Sequence, residues 1–159
     1  MKIQILMLSI VILGLGACTE KPADEPTAAV EPAAAPSPIT MQRTASAEGA
    51  RVFFITPADG ATVTNPISVE FGVEGMEVVK AGTNQPHSGH HHLLIDTDLP
   101  DLGLPIPADE HHVHFGDGRT ATEISLPPGE HSLQMLLGDH LHIPHDPPLM
   151  SEVIRVTVE

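Results

Sequence analysis

"ISVEFGV", residues 67–73, decides the fold. Ile67, Val69, Phe71 and Val73 alternate with Ser68, Glu70 and Gly72, which is the period of a β-strand that buries one face. Working outward, "RVFF" at 51–54 is an apolar run that ends at Pro57 and the turn pair Asp59-Gly60. Downstream, "HHHLLID", "HHVHFG", "TEISL", "HSLQMLL" and "SEVIRVTVE" are further strand candidates, separated by segments rich in glycine and proline. No segment carries apolar residues at helical spacing over three turns, so the sequence predicts an all-β domain of about seven short strands.

Short strands joined by Gly and Pro turns predict an immunoglobulin-like two-sheet sandwich, with a small β-barrel as the alternative. One cysteine and no tryptophan exclude the disulfide and core indole of antibody domains. His131, just after "LPPGE", stands where some sandwiches carry a corner tyrosine, which predicts a hydrogen-bonding structural role.

The N-terminal segment has a different character. Residues 1–17 begin with one lysine, run apolar from Ile3 to Leu15 and end in small residues, the pattern of a secretory signal too short to span a bilayer. Leu15-Gly16-Ala17-Cys18 resembles the lipobox of bacterial lipoproteins, which implies acylation of Cys18 and a membrane anchor through that lipid. Thr19 leaves the position after the cysteine without the aspartate of some inner-membrane lipoproteins. The expectation is therefore a periplasm-facing protein of the bacterial envelope, on the outer membrane rather than the inner. Residues 18–50 are dense in Pro, Ala, Glu and Ser and predict a disordered tether; residues 51–159 remain for the folded domain. The formal charge of -14 disfavours nucleic acid as a partner and favours cations.

All 11 histidines fall between His87 and His145. His90 with His92, His112 with His114, and His140 with His142 are each two apart, and on a strand such residues share one face. In "HHHLLID", Leu93 and Ile95 share a side with His91; in "HHVHFG", Val113 and Phe115 share a side with His111. Aliphatic sets facing the core would place His90, His92, His112 and His114 on an outer or rim face. "GDHLHIPHDPP", 138–148, reads as a loop, so His140, His142, His145 and Asp146 are candidates to close over the strand histidines.

Nitrogen and carboxylate ligands suit zinc, copper(II) or nickel, copper(II) leads in raw affinity, and copper or zinc is the expected ion. Met76, Met135 and Met150 are expected to be packing residues, and His87 to be a bystander. Shared protonation of many imidazoles would also make such a site sensitive to acid.

The residues "GHHHLLID", "PIPADEHHVHFGDGRTATEISLPPGEHSLQMLLGDH" and "HIPHDPPLMSEVIRVTVE" resemble the bacterial envelope family called domain of unknown function 4399, over Gly75 to Glu159. The resemblance implies a secreted or lipid-anchored β domain and points to His90, His91, His92, His114, His140, His142 and His145; His112 stands outside that set.

The expected function is binding, buffering or delivery of copper or zinc, without catalysis, and with an envelope protein as a further partner. An adhesion or scaffolding module with a structural histidine network is the alternative. A metal-dependent enzyme using Glu110 or Asp139 as base is a third reading; the chain has no HExxH, nucleophile elbow or phosphate loop to support it.

Overall fold

The computed structural model describes residues 41–159; the signal segment, Cys18 and the tether up to residue 40 lie outside the described residues. Within them the chain forms nine strands and no helix. In order these are β1 (Arg51–Thr56), β2 (Ala61–Val63), β3 (Ile67–Glu74), β4 (Glu77–Val78), β5 (Ser88–Ile95), β6 (His112–His114), β7 (Ala121–Ile124), β8 (Gly129–Gly138) and β9 (Ile154–Val158). Every segment anticipated from the sequence becomes a strand. The two additional ones, β2 and β4, span only 3 and 2 residues and are too short to display a period.

The strands make a two-sheet sandwich. One sheet has the order β1-β3-β7 and is antiparallel throughout. The other runs β2-β9-β8-β5-β4, with β6 pairing β5 beyond the end of β4. Alternation sets the interior, as "ISVEFGV" requires: Ile67, Val69 and Phe71 of β3 are at most 2 % exposed. They pack with Leu93 and Ile95 of β5, Leu133, Met135 and Leu137 of β8, and Ile154, Val156 and Val158 of β9. Each such side chain contributes roughly 1.5–3 kcal/mol by leaving water. Met76 packs against the same core, while Met150 is exposed.

The outer face of the β5–β8 pair is covered too. Leu94 and Leu136 form a second apolar cluster with Ile106 and the partly buried Leu99, both from the proline-rich connection between β5 and β6. The Ile106 N–H donates to the carbonyl of His142 (2.9 Å), which ties that connection to the loop after β8. Consequently all eight residues of β5 are buried, on both sides of the strand.

Residues 41–50, expected to end the tether, are packed on the domain. Arg43 donates to the carbonyls of Pro144 (2.9 Å) and His145 and lies 3.4 Å from the Asp146 carboxylate. The Thr44 hydroxyl donates to Asp139 Oδ2 at 2.6 Å, and Ala45 bridges Asp146. The segment thus braces the loop that follows β8.

Candidate metal centre

Three histidines are placed by strand geometry alone. His90 and His92 are two apart on β5 and share its outer face with Leu94, while His91 turns inward with Leu93. His114 is the direct antiparallel partner of His92 on β6. His90 and His92 also pair with Gly138 and Leu136 on β8, so both neighbouring strands fix the register.

The fourth comes from the loop after β8, which turns sharply on Asp139. Asp139 Oδ1 accepts from the N–H groups of Leu141 (2.8 Å) and Ile143 (3.0 Å). Its own N–H donates to the Ile143 carbonyl, and the His142 N–H donates to its carbonyl, both at 2.9 Å. This knot holds His142 at a φ of 66°, a left-handed conformation that costs a non-glycine residue energy and survives only where its surroundings impose it. The ring of His142 is thereby brought over the strand histidines.

His90, His92, His114 and His142 each offer a ring nitrogen, and the four nitrogens lie within 4.8 Å of one another. Ring centroids are 4.8 Å apart for His90–His92, His90–His142 and His114–His142, 4.9 Å for His90–His114, 5.1 Å for His92–His114 and 5.8 Å for His92–His142. His90 and His92 are buried, His142 is half-buried and His114 is exposed, so the group is rooted in the protein and opens on one side.

Burial and the neighbouring rings favour the neutral form of His90, His92 and His114. Burial, reinforced by His142 and His114, lowers the pKa of His90 to about 4; burial, reinforced by the other three rings, lowers that of His92 to about 2. Partial desolvation and His142 lower that of His114. A neutral imidazole keeps a lone pair for a cation, which a protonated ring has lost. The same burial leaves both nitrogens of His90 and Nδ1 of His92 without a hydrogen-bond partner. An unmade bond at a buried polar atom costs about 1–3 kcal/mol, which a ligand at these atoms would offset.

Two glycines make room. A Cβ on Gly138 would come within 2.8 Å of Cε1 of His92, and one on Gly116 would run into the ring of His114. Both positions lie directly against rings of the group, and their lack of a side chain leaves room for those rings.

The other candidates lie elsewhere. His91 faces the core, its ring 4.6 Å from that of Phe71. His112 donates from Nδ1 to Asp109 Oδ1 at 2.7 Å, and its buried Nε2 has no partner. His140 is placed 4.0 Å from Asp139 Oδ2, and the buried ring of His145 lies between the carbonyls of Ser88 (3.1 Å) and Leu137 (3.4 Å). Asp146 is bound by Arg43. Of the loop candidates only His142 joins the strand histidines. Glu110 is exposed, and both oxygens of Asp139 are engaged, so neither belongs to the group.

The rim face expected for His90 and His92 is the correct side of β5, but it is covered by two loops rather than open. Sequence reasoning missed Gly116 and Gly138. Their signal was visible in principle, since each glycine lies within reach of a histidine motif, in "HVHFG" and "LLGDH".

His131 has the structural role expected of it: Nδ1–H donates to Asp96 Oδ2 (2.6 Å) and Nε2 lies 2.8 Å from the Pro127 carbonyl. With acceptors at both nitrogens its pKa is raised, chiefly by the Asp96 bond.

No curated protein and no solved structure matches the chain. A family model does match, over residues 69–159, a span that is more than half of the chain and contains all four clustered histidines. The chain belongs to the family described as "Domain of unknown function (DUF4399)".

Proposed function

We propose that this protein binds a transition-metal ion through His90, His92, His114 and His142, and that it buffers or delivers copper or zinc in the bacterial envelope without catalysing a reaction. The observation that carries this reading is the convergence of four imidazoles, two of them buried, with ligating atoms within 4.8 Å of one another. Imidazole nitrogens in that number suit zinc and copper, and no carboxylate or thiolate belongs to the group. The lipobox-like ending at Cys18 supports a lipid anchor facing the periplasm, on the outer membrane rather than the inner, and the acidic chain would concentrate cations near the site.

A structural histidine network is a weaker account of these four rings. His111, His112, His131 and His145 each place a ring nitrogen against a carbonyl or carboxylate, as such a network requires. Both nitrogens of His90 have no such partner.

The test is titration of the full chain with copper(II) and zinc(II), reading stoichiometry and melting temperature. Binding to the folded state alone raises stability by mass action, by about 2.7 kcal/mol at a free ion concentration 100 times Kd. One ion per chain and a raised melting temperature are expected. Replacing His90 and His92 together with Ala should remove both effects, and His87→Ala should change neither. An unshifted transition with both ions at micromolar concentration ends the proposal.

A further inference from the structure

The spacing of the four rings carries more than the presence of a site. We infer that the centre is a closed tetrahedral zinc(II) site, an inference that rests on the metal-binding proposal and adds the coordination geometry and the ion.

The two common four-coordinate arrangements leave different distance patterns. A ring bound at ~2.0 Å has its centroid ~3.1 Å from the ion, so rings at the corners of a tetrahedron stand ~5.1 Å apart along all six edges. Rings at the corners of a square stand ~4.4 Å apart along four edges and ~6.2 Å apart across two diagonals, the pattern tetragonal copper(II) and nickel(II) prefer. Here five of the six separations lie between 4.8 and 5.1 Å, and the sixth, His92–His142, is 5.8 Å. A square requires two long separations that share no ring. His90–His114, the separation that would have to be the second, is 4.9 Å. The pattern is a tetrahedron with one stretched edge.

The backbone explains why. His90 and His92 rise from one strand, His114 comes from the neighbouring strand, and His142 descends from a loop above them. Three ligands on a sheet and one over it define a pyramid rather than a plane. The sheet fixes the base and the Asp139 knot fixes the apex, so flattening would require a change in strand register or loss of the bonds to Leu141 and Ile143.

Chemistry then selects the ion. Zinc(II) has no d-electron preference and takes four nitrogen ligands tetrahedrally, whereas copper(II) gives up part of its intrinsic advantage when denied a tetragonal field. Four protein ligands leave no position for water or substrate, which is the pattern of zinc sites that hold the metal rather than use it. Zinc changes no oxidation state, so binding and release move no electrons. The Asp139 carboxylate on the His90 side and Asp117 on the His114 side offset part of the ion's charge.

Cobalt(II) reports the geometry directly, because four-coordinate cobalt absorbs strongly in the visible and six-coordinate cobalt weakly. The full chain is titrated with cobalt(II), then with zinc(II), and the copper(II) form is read by electron paramagnetic resonance. Expected results are one cobalt per chain with the intense four-coordinate spectrum, bleaching by one equivalent of zinc, and a copper(II) signal distorted from tetragonal. His92→Ala should lose the cobalt bands, and His140→Ala should keep them. A stoichiometric but weak six-coordinate cobalt spectrum, an undistorted tetragonal copper signal, or copper(I) that a hundredfold excess of zinc fails to displace would overturn the tetrahedral zinc assignment while leaving a metal site. Absence of binding by every ion would instead remove the metal-binding proposal on which it rests.

Discussion

His92 and His114 face each other across the antiparallel pairing of β5 and β6, their ring centroids 5.1 Å apart. Cross-strand partners are the closest side-chain neighbours a sheet offers, so the fold sets this half of the centre before any metal arrives. His90 completes a three-ring base on the same face of β5, while His142 depends on a loop. Removing a base ligand should therefore harm the site more than removing the apex. We expect His92→Ala to lower zinc affinity at least a thousandfold, and His142→Ala to lower it ten- to a hundredfold with faster release. Competition against a chromophoric chelator and stopped-flow chelator chase measure the two quantities. Equal losses, or a greater loss for His142→Ala, would show that the loop and not the sheet organises the centre.

The glycine contacts give a second expectation. Adding one methyl group at Gly116 forces the His114 ring aside, and at Gly138 it meets Cε1 of His92 at 2.8 Å. Ligand atoms must be held within about half an ångström of their working positions for full affinity. Gly116→Ala should therefore weaken zinc binding roughly tenfold or more while leaving every ligand in place, with little change in the melting temperature of the metal-free protein, because His114 is exposed and can swing outward. Gly138→Ala, beside a buried ring, should reduce both. Isothermal titration and thermal melting of the two variants separate these outcomes.

The strands were legible because alternation writes burial into the sequence. "ISVEFGV" shows its inner face directly, and the side shared by His91, Leu93 and Ile95 is the side that meets the core. The same pattern separates His90 and His92 from His91. It could not show that the outer face of β5 is also covered. That cover comes from Leu99, Ile106 and the loop at 139–145, where irregular backbone carries no period to read. For the same reason His140, His142 and His145 looked alike in the sequence. Which of them reaches the centre is decided by the turn on Asp139, a matter of backbone hydrogen bonds rather than of residue type.

Acid should destabilise the metal-free protein through the buried rings. His90 and His91 titrate at about 4 in the folded state and His92 at about 2, chiefly because of burial, against an ordinary histidine value of 6.5. Below pH 6.5 the unfolded chain binds protons at these rings and the folded chain does not, so stability falls as pH falls. The loss begins near pH 6.5 and continues to about pH 4 for His90 and His91, and further for His92. Across the middle of that window, unfolding should take up about three protons from solvent at these rings. His131 works in the opposite sense. Its raised pKa gives stability that is complete below 6.5 and is lost as pH rises through the folded-state value. Denaturant melts of the metal-free protein from pH 7 to 4.5 should show this decline, and His91→Phe should make it shallower. A flat profile would mean that the rings gain protons without unfolding.

The brace from the N-terminal segment makes the loop ligand depend on residues far away in the chain. The Thr44 hydroxyl gives Asp139 a hydrogen bond of 2.6 Å, and Arg43 holds the carbonyls of Pro144 and His145, two and three residues beyond His142. Asp139 is 2 % exposed and carries the turn, so removing its carboxylate strands the N–H groups of Leu141 and Ile143, at about 1–3 kcal/mol for each group left unpaired. Asp139→Ala should therefore cost several kcal/mol and take the apex ligand with it. Thr44→Val removes only the outer bond and should cost about 1 kcal/mol. It leaves His90, His92 and His114 untouched, so its effect on zinc should appear as faster release with little change in the rate of binding. The pair of variants measured by urea melts and chelator chase distinguishes a brace from a bystander: if Thr44→Val releases zinc at the parent rate, the segment at 41–47 stabilises the domain without governing the loop that carries His142.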